Sequence, residues 1–214
     1  MNTQLTTDIS LAVKIIQQGR VVAFPTGTAY GLAVDALQGH ALQRLRNLKQ
    51  RSLQKTFTVF MHQELWEQFL ELTVEEKEVL SSLKQNPFTL LVKPKSALAH
   101  IAQDGFIGLR VIDHPIMQQL AEAVDVPLTA TSANKSEQSA CYDPACLQEQ
   151  FPSRIDLEPN EPHSAGETTY NLSLGLILDG GQLPSNQAST IAQIDHGEVT
   201  IIRQGSLLAR QIKV

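Results

Sequence analysis

What most constrains the fold of this chain is an alternation of two hydrophobic periods. Short apolar runs rich in β-branched and aromatic residues take turns, from Asp8 to Arg203, with segments whose apolar residues recur at helical spacing. Asp8 or Thr7 caps a helix carrying Leu11, Ile15 and Ile16, stopped by Gly19. Arg20-Val-Val-Ala-Phe24 then reads as a buried strand halted by Pro25. A second helix spans about Gly39 to Lys49, and Thr56 to Phe60 is a strand by β-propensity. Thr73-Val-Glu-Glu76 is a capping box opening a helix to about Leu83, and Phe88–Val92 and Phe106–Ile112 are strands. Asp113-His-Pro115 leads a helix with Ile116, Met117, Leu120 and Val124. Val126 to Thr131 is a strand running into Ser132-Ala-Asn134. Leu174–Leu178, Ser189–Ile194 and Glu198–Arg203 complete the strands, with a hairpin turn at Asp195-His-Gly197.

Such mixing predicts an α/β or α+β sheet domain. The expectation is one domain over residues 1–214, with an irregular segment at 135–173 rich in Pro, Ser, Glu and Asn, in which Asp143-Pro144 opens one short helix. That segment is longer than an ordinary connection, so it is a functional loop or poorly ordered.

Composition narrows the function. Seventeen Lys and Arg against 22 Asp and Glu leave a net charge of −5, which argues against wholesale coating of nucleic acid. Eleven aromatics are few for a protein that stacks single-stranded bases. With no run approaching about 18 apolar residues and a polar N-terminus, the chain is expected to be cytoplasmic, without a membrane partner. Cys141 and Cys146 have no second pair with metal-ligand spacing, so they are expected to be incidental thiols. The six histidines show no HExxH pattern, and no metal site is expected.

Three stretches follow strands with small or polar residues, where α/β sheets place ligands. Pro25-Thr-Gly-Thr-Ala-Tyr-Gly-Leu32 offers two hydroxyls and two glycines; it is not a P-loop, and alone it reads as an ordinary turn. From Ala36 through Gln63 there is no acid, whereas Arg44, Arg46, Lys49, Arg51 and Lys55 supply five cations. At about 100° per residue Lys49 falls within the arc of Leu42, Leu45 and Leu48, while Arg44 falls opposite. The Lys49 ammonium therefore points toward the protein body, where a charge is costly unless paired, and a bound phosphate would pair it. Thr129-Ala-Thr-Ser-Ala-Asn134 puts a serine and an asparagine two apart, able to read one polar ligand but equally able to make a turn.

Taken in order, Pro25-Thr-x-Thr-x-Tyr-Gly-Leu, Lys49-Gln-Arg51, Gly108-Leu-Arg110-Val-x-Asp113-His-Pro115, Ser132-Ala-Asn134 and Ser189-Thr190-Ile resemble the YrdC/TsaC family. The resemblance runs from about residue 8 to Gly205 and includes the family's hallmark, a Lys-x-Arg joined to a distant Ser-x-Asn. It implies a single twisted mixed α/β sheet with flanking helices and a concave basic cavity. The implied activity is formation of threonylcarbamoyl-AMP and pyrophosphate from L-threonine, bicarbonate and ATP. Later enzymes would use that product for the threonylcarbamoyladenosine modification of tRNA. By position, Lys49, Arg51, Ser132 and Asn134 would hold the ATP phosphates, and Lys55, Ser189, Thr190 and Arg203 would contact the nucleotide. Thr28 and Arg110 would hold L-threonine, and Mg²⁺ would be carried by ATP. Association with tRNA or double-stranded RNA would be weak.

The chain departs from the family pattern at Gly27, where glutamate is usual, and at Ser52, where proline is usual. Ala130 stands where a serine often contacts threonine, and Phe60 where some members have histidine. These departures thin the amino-acid side of the expected site and leave the phosphate side intact. The alternative they raise is a non-catalytic RNA- or nucleotide-binding module of the same fold, like the YciO branch.

Overall fold

The computed structural model describes residues 3–52, 57–152 and 173–212. Its strands are β1 (Leu5–Thr6), β2 (Val22–Pro25), β3 (Tyr30–Ala33), β4 (Thr58–Phe60), β5 (Leu70–Glu71), β6 (Phe88–Pro94), β7 (Ile107–Arg110), β8 (Leu128–Thr129), β9 (Thr131–Ser132), β10 (Leu176–Leu178), β11 (Thr190–Asp195) and β12 (Glu198–Arg203). Its α-helices are α1 (Ile9–Gln17), α2 (Gly39–Lys49), α3 (Trp66–Phe69), α4 (Val74–Ser82), α5 (Pro115–Glu122) and α6 (Pro144–Gln150).

The helix signals in the sequence act as expected. The Asp8 carboxylate accepts from the Leu11 amide at the start of α1. Thr73 and Glu76 form the reciprocal capping box of α4, satisfying two amides that the first helical turn leaves unpaired. His114 is the N-cap of α5, its Nδ1 accepting from Ile116, and Pro115 occupies the first turn, where its missing N–H costs nothing. Gln50, in the left-handed conformation, ends α2 directly between Lys49 and Arg51.

The strands form a mixed α/β arrangement of two hydrogen-bonded sheets, β1-β10-β2-β3-β9 and β12-β11-β6-β7-β4-β8, with β5 pairing onto β6. The run from Leu128 to Ser132 takes part in both: β8 pairs antiparallel with β4, and β9 pairs antiparallel with β3. Between them the Ala130 amide donates to Thr58 O at 2.7 Å. This shared run brings Ser-Ala-Asn to the ends of β2 and β3, with β4 alongside. One apolar cluster packs Leu42, Leu45 and Leu48 of α2 with Val59, Leu90 and Leu109; the other packs α1 and α5 against Phe24, Phe60 and Leu176. Full burial of each leucine contributes about 1.5–3 kcal/mol, so the leucine face of α2 fixes where Lys49 and Arg51 emerge.

The structure corrects the sequence reading at several points. Tyr30–Ala33, read as part of a glycine-rich turn, is a buried strand; Gly31 is needed there because a Cβ would lie 2.9 Å from Phe24 Cζ. The strand read as Thr56–Phe60 is described from Thr58, and Thr56 lies outside the described residues, as does the 153–172 part of the irregular segment. Cys141 and Cys146 are not free thiols but a disulfide. Asp143 caps α6 by accepting from Cys146 N, and this turn brings the two Cα atoms to 5.5 Å, within disulfide reach. Cys141 is also clamped by backbone bonds, its carbonyl accepting from Tyr30 N and its amide donating to Ala133 O.

Candidate active site

The buried end of α2 meets the Ser-Ala-Asn turn. Lys49 is 2% exposed, as the leucine arc requires, and its Nζ donates to Ser132 O, to Asn134 O at 2.8 Å and to Asn134 Oδ1 at 3.4 Å. Ser132 Oγ donates to the same Asn134 Oδ1 at 2.6 Å, and Asn134 Nδ2 donates to Lys135 O and Gln138 O. Residues separated by more than eighty positions are thereby joined into one polar unit. Its partners are carbonyl oxygens, which do not neutralise an ammonium. Burial, reinforced by the Arg51 charge, pushes the Lys49 pKa down to about 7.

Beside this unit lies a cavity of about 210 Å³. Three guanidiniums reach it: Arg51 just past α2, Arg110 at the end of β7, and Arg203 at the end of β12. Thr28, Thr58, Thr89, Ser132 and Ser189 add hydroxyls, and Ala130 leaves a bare stretch of wall. Burial lowers the pKa of both Arg51 and Arg203, with Arg46 adding to the first and Arg110 to the second. Cations gathered this closely repel one another, so an anion among them would relieve that repulsion.

Each arginine is held in place. Arg51 stacks over the Phe57 ring at 5.3 Å, with Arg46 over the same ring at 4.7 Å. Arg203 donates through Nε and Nη2 to Ser189 O and through Nη2 to Ser189 Oγ, and Ser189 Oγ in turn shares a hydrogen bond with Thr89. Arg110 Nη2 donates to Thr28 Oγ1 at 3.3 Å and to Asp113 Oδ2 at 2.5 Å. Its Nε is buried without a partner among the described residues.

Of the residues proposed from sequence, Arg51, Ser132, Thr28, Arg110, Ser189 and Arg203 line the cavity. Lys49 and Asn134 stand behind Ser132 as its support. Lys55 lies outside the described residues. Thr190 is placed differently from the sequence expectation. It is fully buried, its hydroxyl donates to Leu207 O, and that hydroxyl accepts from Gly205 N and Leu207 N, which occupies it in holding the 205–207 turn. Phe60 likewise does not border the cavity; it is fully buried and stacks on Phe24 with ring centroids 5.0 Å apart. The site also contains residues that the sequence reading passed over, Thr58 on β4 and Thr89 on β6, which line the cavity from the two strands flanking β7. Each is the single threonine of its strand, a residue that β-propensity alone explains, so nothing in the sequence marked it.

A twisted α/β sheet with a Lys-x-Arg bonded to a Ser-x-Asn beside an arginine-lined cavity defines a class of proteins. A family model described as "Telomere recombination", the Sua5/YciO/YrdC family, matches residues 14–205, and the chain belongs to that family. A threonylcarbamoyl-AMP synthase of Vibrio vulnificus is 32% identical over 174 residues, covering 76% of this chain and 93% of the relative. The human threonylcarbamoyl-AMP synthase is 30% identical over 214 residues, covering 95% of this chain and 69% of the human one. Among solved structures, P. abyssi Sua5 complexed with L-threonine has a TM-score of 0.79 at 23% identity, with 98% of this chain covered and 59% of that chain. E. coli YciO has a TM-score of 0.76 at 19% identity, with 98% of this chain and 97% of that one covered. Against the Sua5 structure the present chain spans about three fifths of the length; against the Vibrio synthase it spans nearly all of it.

Proposed function

We propose that this protein is an L-threonylcarbamoyladenylate synthase, a nucleotidyltransferase that makes threonylcarbamoyl-AMP for tRNA modification. The observation that carries the reading is the bonding of Lys49 to Ser132 and Asn134 next to a cavity into which Arg51, Arg110 and Arg203 converge. The kinship with named synthases supports it.

In this reading Arg51, Ser132 and Arg203 face the triphosphate, with Lys49 and Asn134 holding Ser132 in place. Lys55 is retained as a nucleotide contact from the family pattern. Arg110 and Thr28 take the carboxylate and hydroxyl of threonine. Condensation of the threonine amine with bicarbonate releases water and leaves a carbamate. A carbamate oxygen attacks the α-phosphorus, the bond from that phosphorus to the bridging oxygen breaks, and pyrophosphate leaves with the electron pair. The protein's part is to align two anions and to stabilise charge on the phosphates. Magnesium would arrive on ATP; among the described residues no group of three His, Cys, Asp or Glu side chains is arranged to hold a metal.

The test is pyrophosphate release from ATP. It should require both L-threonine and bicarbonate, and omission of either should return it to background. Release independent of threonine would contradict the assignment. The rival reading, a non-catalytic module like YciO, is supported by likeness of fold alone.

A further inference from the structure

Asp113 is the acid that pairs with Arg110 of the cavity, and the proposed reaction gives it no task. Its side chain is fully buried. One carboxylate oxygen accepts from Arg110 Nη2 at 2.5 Å; the other accepts from the Gly27 amide at 3.0 Å, across 86 positions of sequence. Gly27 has no need of glycine for its backbone angles, since its φ is not positive. What it lacks is room. A Cβ there would lie 2.7 Å from Asp113 Oδ2 and 2.9 Å from Asp113 Cγ, so the carboxylate occupies the space any side chain would take. Asn186 Nδ2 also donates to Gly27 O at 3.1 Å, a second tie on the turn on which Thr28 sits.

We infer that Asp113 is the positioning residue for Arg110, that Gly27 is its seat, and that the pair sets the protein's affinity for the amino-acid carboxylate. The carboxylate is shared between the guanidinium and the 26–29 turn. It therefore fixes the two groups proposed to grip the amino acid, Arg110 and Thr28, relative to each other, and the Arg110–Thr28 hydrogen bond of 3.3 Å reports that register. Asp113 and Thr28 both meet Nη2, so the two bonds orient the guanidinium from one corner of its fork, and Arg110 still borders the cavity. A guanidinium locked by one carboxylate loses little freedom on meeting another, which favours binding. The inference rests on the proposed function for the identity of the ligand.

The experiment is calorimetric titration of L-threonine, and separately of ATP, into the unmodified protein and into Asp113→Asn, Gly27→Ala and the double variant. Melting temperatures are recorded for each. Asp113→Asn keeps the shape and removes the charge; Gly27→Ala keeps the charge and removes the seat. Each single variant should weaken threonine binding by about tenfold or more, the loss expected for one charge-assisted hydrogen bond. The double variant should lose little beyond that, because both changes break one arrangement. ATP affinity should not move, which separates positioning from general loss of structure. Equal or tighter threonine binding in Asp113→Asn would overturn the inference, because Asp113 would then be a competitor for Arg110 and not its support. Failure of the unmodified protein to bind threonine while binding ATP would instead reject the amino acid assigned to the site, and the inference with it.

Discussion

Lys49 is one residue at which sequence, electrostatics and chemistry converge. The leucine spacing of its helix was enough to predict an inward ammonium, and the residue is 2% exposed. Helical spacing alone could not tell what that ammonium would meet, because its partners lie more than eighty residues away on the strand run shared by the two sheets; only the family resemblance pointed to Ser-Ala-Asn. Its lowered pKa has a thermodynamic consequence. The unfolded chain keeps the lysine proton up to about its ordinary value of 10.5, whereas the folded protein releases it near 7. Between these limits the unfolded state binds more protons, so this residue makes stability rise with pH, by up to about 1.4 kcal/mol per pH unit. Chemical denaturation of the unmodified protein and of Lys49→Met at pH 7, 8 and 9 should show that extra rise only in the former. Equal slopes would show that Lys49 keeps its proton in the fold. ATP should also bind with proton uptake at pH 8, read as a dependence of the calorimetric heat on buffer ionisation enthalpy, because phosphate favours the charged ammonium.

The elements were more legible than the contacts between them. Capping residues such as Asp8, Thr73 and His114 act locally, so their helices could be read from neighbouring letters. Tyr30–Ala33 was harder, because a glycine that makes room for Phe24 looks in sequence like a glycine that makes a turn. Ser189-Thr190 shows the same limit at the entry to β11. Its motif was visible, but alternation along the strand sends Ser189 to the cavity and Thr190 into the interior. Thr190→Val tests that division. It removes one donor and one acceptor shared by three buried bonds, at a cost of about 2–4 kcal/mol. For a chain of this size that lowers the melting temperature by roughly 5–15 °C. Nucleotide affinity below that temperature should be unchanged; a loss of ATP binding without loss of stability would return Thr190 to the nucleotide site. The Cys141–Cys146 disulfide was invisible for a related reason: spacing alone does not reveal that the Asp143 cap turns one cysteine back over the other.

For the molecule as a whole, charge and architecture divide the labour. The chain carries a net −5, yet three arginines converge on one cavity that, among the described residues, no acid borders. That distribution suits small anions within the cavity and disfavours an extended polyanion across the surface. Titration with tRNA should therefore give weak association that falls steeply with salt, whereas submicromolar binding at physiological ionic strength would favour an RNA-binding module. The family membership, the polar unit of Lys49 with Ser132 and Asn134, and the converging arginines are what the proposed adenylation of a carbamate made from threonine rests on. The product itself is the most direct witness. Incubation with ATP, L-threonine and ¹³C-bicarbonate, followed by mass spectrometry, should yield threonylcarbamoyl-AMP carrying a single labelled carbon. Formation of unlabelled threonyl-AMP, or consumption of ATP with no carbamoyl adenylate, would contradict the account.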